Sequence, residues 1–186
     1  WRLCCAVVRT RSIRPERVLT GLRRIGKGAV VHSGAIVEGC WIGRDAQIGA
    51  GAVVRGCVVG DGAVIEPGAF AEYSVLGPGA HLEGRSRVAF CVVDRLARCG
   101  GDLLMSYVGP EARVDSGVVL RDIGAERTLQ VHGTPGAFAP PLGRIGVGLG
   151  AGARLREGCL VEASIFLPPG CDVSAAPAAR LERMPD

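Results

Sequence analysis

The feature that most constrains this chain is a 17-residue period. From Ile25 onward the sequence falls into IGKGAVVHSGAIVEGCW, IGRDAQIGAGAVVRGCV, VGDGAVIEPGAFAEYSV and LGPGAHLEGRSRVAFCV, and each unit divides into runs of six, six and five residues. Every run opens on one column: Ile25, Val31, Val37, Ile42, Ile48, Val54, Val59, Ile65, Ala71, Leu76, Leu82 and Val88, eleven of the twelve being branched aliphatics. A second column is small throughout, with Ala29, Ala35 and Cys40 in the first unit and Leu-free Ala, Ser or Cys in the next three. Residues two apart on a strand share a face, so the small side chain and the aliphatic that follows it point inward together. Gly and Pro between them supply the corners. Three short strands per turn, stacked about 4.8 Å apart, make a triangular β-helix. Composition agrees: with 48% hydrophobic but only 4% aromatic residues, the core is built from Val, Ile, Leu and Ala. The 29 glycines and 11 prolines are then corner residues of a packed solenoid and not a sign of disorder.

The repeat sets the expected boundaries. Its register loosens after Val92, so residues 93–107 read as an irregular coil, and it returns as VGPEAR and VDSGVV at 108–119. Residues 123–141 lose the pattern, contain Gly133, Pro135, Gly136, Pro140 and Pro141, and are expected to form one loop excursion. The repeat resumes over 149–172, giving a β-helix domain at 25–173 with about seven coils. Residues 1–24, with an apolar run from Leu3 to Val8 and then many arginines, are expected to be an N-terminal cap or the remnant of a preceding domain. Residues 174–186 form an Ala/Pro-rich C-terminal tail. Trp1 opens the chain with no signal-peptide pattern behind it, as expected of a domain excised from a longer protein.

Several function classes are disfavoured by the same reading. A net charge of +4 is too mild for a strongly electrostatic nucleic-acid binder, and no run of 18 apolar residues crosses a membrane. Lys27 is the only lysine and asparagine is absent, which nearly excludes sites that depend on either. The eight cysteines contain no C-x-x-C pair; Cys40, Cys57 and Cys91 share one point of the repeat, with Ser74 in the missing place. They read as stacked small core residues, and unpaired core thiols imply a reducing, cytoplasmic setting. His32 and His81 are 49 residues apart, not a multiple of the period, and His132 lies in the excursion, so no metal site is expected. The run GVGLGAG at 146–152 lacks the spacing and the βαβ context of a dinucleotide loop. One feature asks for a partner. Two outward columns, Ile36, Val53, Phe70 and Trp41, Val58, Val75, make apolar faces that monomers seldom leave bare.

This periodicity resembles the left-handed parallel β-helix of hexapeptide-repeat transferases. The stretch SYVGPEARVDSGVV, followed after the excursion by LGRIGVGLGAGARLREGCLVEASIFLPPG, looks like the C-terminal half of sugar-1-phosphate nucleotidyltransferase/acetyltransferases of the bifunctional N-acetylglucosamine-1-phosphate uridyltransferase type. The resemblance implies an all-β, single-stranded left-handed parallel β-helix that assembles as a homotrimer through its outward apolar faces. It implies acetyl-CoA as co-substrate along the crease between neighbouring helices, with no tightly bound cofactor, and a nucleotidyltransferase domain upstream. That family's histidine base stands two residues before the Ser of SYVG; here Ser106 and Tyr107 match, but the base position is Leu104. The family's phosphate-binding arginine falls on Glu66, its substrate lysine near Val92, and its Asn-rich segment on Arg121-Asp122. Leucine cannot accept a proton, and glutamate repels phosphate. The polar residues left near the implied crease are Asp102, Ser106, Tyr107, Arg121, Asp122 and Arg144. Two functions stay open: a transferase domain acting on sugar phosphates, and a non-catalytic oligomerisation or regulatory module of a nucleotidyltransferase.

Overall fold

In the computed structural model, the structure describes residues 24–124, 129–130, 137–138, 144–163 and 165–174. The expectations for the N-terminal segment before Arg24, for His132 and for the tail beyond residue 174 lie outside the described residues. Three parallel sheets of eight, eight and seven strands form the sides of a triangular solenoid. The first face stacks Arg24–Ile25, Trp41–Ile42, Val58–Val59, Val75–Leu76, Val92–Val93, Tyr107–Val108, Gly148–Leu149 and Phe166–Leu167. The second stacks Val30–Val31, Gln47–Ile48, Val64–Ile65, His81–Leu82, Arg98–Cys99, Arg113–Val114, Arg154–Leu155 and Asp172–Val173. The third stacks Ile36–Glu38, Val53–Arg55, Phe70–Glu72, Arg87–Ala89, Asp102–Leu104, Val119–Leu120 and Leu160–Val161. Seven strands on the shortest face match the expected seven coils.

Burial follows the two sequence columns. Ile42, Ile48, Val54, Val59, Ile65 and Leu76 are buried on the inner side, together with Ala46, Ala52, Ala63 and Ala69 at the corners. In the coils before Val93 those corners hold only alanine or serine. The third corner differs for a physical reason. At the first two, the N–H of the small residue closes a turn on the carbonyl three residues back, as Ala63 does on Gly60 at 3.3 Å and Ala69 on Glu66 at 3.2 Å. The corner from the third face to the first carries one residue fewer, and its N–H groups reach the coil below instead. Cys57 N donates to Cys40 Sγ at 3.4 Å, Cys91 N to Ser74 Oγ at 3.1 Å, Ser106 N to Cys91 Sγ at 3.4 Å and Val147 N to Ser106 Oγ at 3.3 Å. Each of those side chains in turn donates to the carbonyl two residues earlier, Ser74 to Glu72 O and Ser106 to Leu104 O, both at 2.7 Å. Cysteine and serine recur at this corner because alanine would leave a buried N–H without an acceptor.

Residues 93–107 are regular, not irregular. Arg98–Cys99 and Asp102–Leu104 keep their register with the coils on both sides. The period shortens at one corner only, where Gly100-Gly101 joins the second face to the third. A Cβ on Gly101 would run into the carbonyl oxygen of Val118 and lie 2.9 Å from its carbonyl carbon. Val118 is itself fully buried at a corner held by Ala35, Ala52 and Ala69 in earlier coils, so a larger side chain fills the space that Gly101 vacates.

The excursion begins after the third-face strand Val119–Leu120. It pairs Ile123 with Ile145 and Gly124 with Arg144, and Leu129 with Phe138 and Gln130 with Ala137, all antiparallel. The expected loop is thus an arm with hairpin pairing, and Gly146 returns it to the stack. A Cβ there would meet the Leu104 carbonyl oxygen at 2.6 Å.

Candidate functional site

The six residues singled out from the sequence divide into one pair and four separate positions. Asp122 and Arg144 come together at the root of the arm, Arg144 Nε lying 2.7 Å from Asp122 Oδ2, with the aspartate side chain only 11% exposed. Arg121 beside them faces solvent, 4.0 Å from Glu162. Ser106 is inside the solenoid, its hydroxyl occupied by Leu104 O and Val147 N. Tyr107 stands outward on the first face and donates its hydroxyl to Asp94 Oδ2 at 3.1 Å, which holds the phenol above its ordinary value. Asp102 is exposed on the third face, in register with Arg87 and Val119. The backbone at the Leu104 position is a tight corner in which Met105 takes a positive φ of 50°.

A different constellation, not anticipated from the sequence, stands on the second face. His81 Nε2 lies 2.7 Å from Glu66 Oε1, and Glu66 Oε2 accepts the Gly84 N–H at 2.8 Å. The other ring nitrogen, Nδ1, lies 3.3 Å from Arg98 Nη2. A carboxylate can only accept and a guanidinium can only donate, so the set is satisfied by a neutral imidazole with its proton on Nε2 and its lone pair on Nδ1. The bond from His81 and the backbone N–H of Gly84 hold the Glu66 carboxyl below the usual carboxylate range. The His81 side chain is 21% exposed, shielded yet reachable from solvent. Glu66, whose negative charge seemed misplaced for binding phosphate, instead orients a histidine. The clue was available: Glu66 and His81 are 15 residues apart, so they sit on adjacent coils with the glutamate just round the corner from the strand below the histidine.

The core thiols take no part in this chemistry. Burial pushes the Cys91 thiol up to about 11, and Cys57 is pushed up by its hydrogen bond with Cys40 and by burial. No group of three or more His, Cys, Asp or Glu side chains among the described residues is placed to hold a metal ion.

The first face and its adjoining corner carry the largest apolar exposure. Trp41, Val58, Val75 and Val92 line the face, and Tyr73 and Phe90 stand on the corner, about half exposed, with ring centroids 5.2 Å apart. Tyr73 and Phe90 occupy corner positions with φ of 46° and 55°, which Gly39 and Gly56 fill in the earlier coils. Bulky residues in the left-handed region are strained, and this strain supports no contact within the core. Of the other expected apolar residues, Ile36 is exposed, whereas Val53 and Phe70 are half-buried, Phe70 lying under the Arg87 guanidinium at 5.5 Å.

Comparison with known proteins agrees with this architecture. Residues 39–71 match the family "Bacterial transferase hexapeptide (six repeats)". No curated protein matches the chain in sequence. Among solved structures, UDP-N-acetylglucosamine O-acyltransferase (LpxA) from Moraxella catarrhalis RH4 matches with a TM-score of 0.55 at 15% identity, over 82% of this chain and 61% of that one. A hexapeptide transferase family protein from Anaplasma phagocytophilum matches at 20% identity over 85% of this chain and 80% of its own, with a TM-score of 0.36. The acetyltransferase domain of PglB from Neisseria gonorrhoeae FA1090, in complex with acetyl coenzyme A, matches at 23% identity over 83% and 55%, with a TM-score of 0.35. The chain thus spans about three-fifths of the length of the O-acyltransferase. The hexapeptide match covers residues 39–71, and the fold of the chain is the left-handed parallel β-helix.

Proposed function

We propose that this chain is an acyltransferase domain of the hexapeptide-repeat type, moving an acetyl group from acetyl-CoA to an amine or hydroxyl of a phosphorylated sugar. The observation that carries this reading is the His81–Glu66 pair, a histidine with an oriented imidazole on the outer face of the solenoid, one coil beyond the matched hexapeptide repeat. Once the Arg98 guanidinium turns from Nδ1 to the ligand, His81 Nδ1 takes the proton from the acceptor as its nitrogen or oxygen attacks the thioester carbonyl. Glu66 stabilises the imidazolium that forms. As the C–S bond breaks, the imidazolium returns the proton to the leaving thiolate. The base is thus relocated from the Leu104 position of the resembled nucleotidyltransferase/acetyltransferases to a different face. The strained Tyr73–Phe90 corner and the Trp41 face support assembly as a homotrimer, in which neighbouring copies cover this apolar surface. The domain works in a reducing, cytoplasmic setting, and a nucleotidyltransferase domain upstream fits the same reading.

Release of free thiol from acetyl-CoA, followed with amino-sugar phosphates and UDP-sugars as acceptors, tests the assignment. Wild-type turnover that falls about 100-fold or more in His81→Asn, and is unchanged in His32→Asn, is the expected result. No turnover with any acceptor, or equal turnover in His81→Asn, would transfer the chain to the second reading, a non-catalytic oligomerisation module, which the leucine at position 104 favours.

A further inference from the structure

Charges on this solenoid alternate along the stack. Arg55 bridges Glu38 at 3.0 Å and Glu72 at 3.4 Å on the coils below and above. Arg44 pairs with Asp61 at 2.8 Å, Arg156 with Asp172 at 2.6 Å, and Arg87 stands in register with Asp102. One column breaks the pattern. On the second face Arg98, Arg113 and Arg154 occupy the same outward position on three successive coils, in direct register and all exposed. Like charges directly opposite on a sheet are destabilising. They are only partly offset: Asp172 follows Arg154 in the same column, in direct register, but its carboxylate is shared with Arg156. Glu83 accepts from Ser116 at 3.1 Å, Glu66 holds His81, and Asp94 accepts from Tyr107 and from the Arg95 N–H. Among the described residues Arg113 forms no ion pair, Arg154 acts on Asp172 through its charge without a hydrogen bond, and the Arg98 side chain meets His81 Nδ1.

We propose that the Arg98–Arg113–Arg154 column is a binding site for the diphosphate group of a phosphorylated ligand. Three guanidinium forks rise from strands about 4.8 Å apart, so the column spans about 10 Å. That length lets neighbouring forks each take the oxygens of one phosphate, in the bidentate geometry at which arginine excels. Bound phosphate offsets the mutual repulsion of the three guanidiniums. His81 continues the same column one coil below Arg98, so a ligand anchored by its diphosphate extends toward the imidazole. Diphosphates reach such a protein in two forms, the adenosine diphosphate portion of an acyl donor and the uridine diphosphate portion of a sugar nucleotide, and the column reads what they share. The inference does not depend on acyl transfer, since a diphosphate without an acyl group must also bind.

Isothermal titration of the full chain with inorganic pyrophosphate, ADP and UDP tests it. Pyrophosphate binding that weakens about tenfold or more in Arg113→Ala and in Arg154→Ala, and is unchanged in Arg44→Ala, is the result expected. Tighter binding of ADP assigns the site to the acyl donor, and tighter binding of UDP assigns it to a sugar nucleotide; both uphold a diphosphate site. Absence of heat with all three ligands for folded wild type, or an equal loss in Arg44→Ala, overturns it. A wild-type chain that binds pyrophosphate yet turns over acetyl-CoA with none of the acceptors, or no faster than His81→Asn, would sink the acyltransferase reading alone.

Discussion

At the residue scale, two serines of the same sequence column have opposite roles. Ser106 lies at the corner where side chains replace the turn hydrogen bond, accepting from Val147 N and donating to Leu104 O. Ser86 lies at a corner where its own N–H already closes a turn on Glu83, and its buried hydroxyl has no partner. Ser106→Ala is therefore expected to cost about 1–3 kcal/mol by orphaning a buried N–H, while Ser86→Ala is expected to be neutral or stabilising. Urea midpoints of the two variants check this; a Ser86→Ala variant that is the less stable of the two would contradict the hydrogen-bond assignment. The small column was legible in the sequence because steric crowding selects on volume alone. Its hydrogen-bond role at one corner was not legible, because cysteine, serine and alanine are equally small and only the corner length separates them. The spacing of Glu66 and His81 placed them on adjacent coils, but their contact was not legible. Charged residues at corners point in directions set by rotamers, which a strand period does not encode.

At the element scale, periodicity located nearly every strand from Arg24 to Val93, because each coil repeats one burial pattern at fixed spacing. It failed at residues 93–107 since losing two residues at a single corner shifts the numbering while leaving the strand pairing intact. Gly100-Gly101 makes that shortened corner feasible by close approach. Gly101 is needed for want of space: its backbone does not adopt a positive φ, yet any Cβ strikes Val118. Gly101→Ala is expected to destabilise by about 1–3 kcal/mol, the usual cost of overpacking a tight interior, and Val118→Ala in the same chain should recover less than half, as the clash is with backbone. Thermal unfolding of the single and double variants measures this, and an unperturbed Gly101→Ala would show that the corner is looser than the structure has it. The arm was legible only as an interruption. Its antiparallel pairing and the Asp122–Arg144 bridge at its root join residues far apart in sequence, outside any repeat.

At the scale of the whole molecule, one side of the solenoid is apolar and strained while another is basic and polar. In the proposed trimer the Tyr73–Phe90 corner and the Trp41 face would meet other copies of the chain, while His81 and the arginine column stand on the second face. Such a division allows one rigid stack of coils both to assemble and to hold a reacting pair, since strands fix side chains more tightly than loops do. The fold alone does not make the chain an enzyme; the account rests on the second face receiving an acyl donor. Calorimetric titration of acetyl-CoA into protein whose mass in solution corresponds to a trimer addresses that most directly. The account predicts saturable binding in the micromolar range that is weakened by Arg113→Ala. An intact trimer that takes up no acetyl-CoA would contradict it and leave a scaffold without this chemistry.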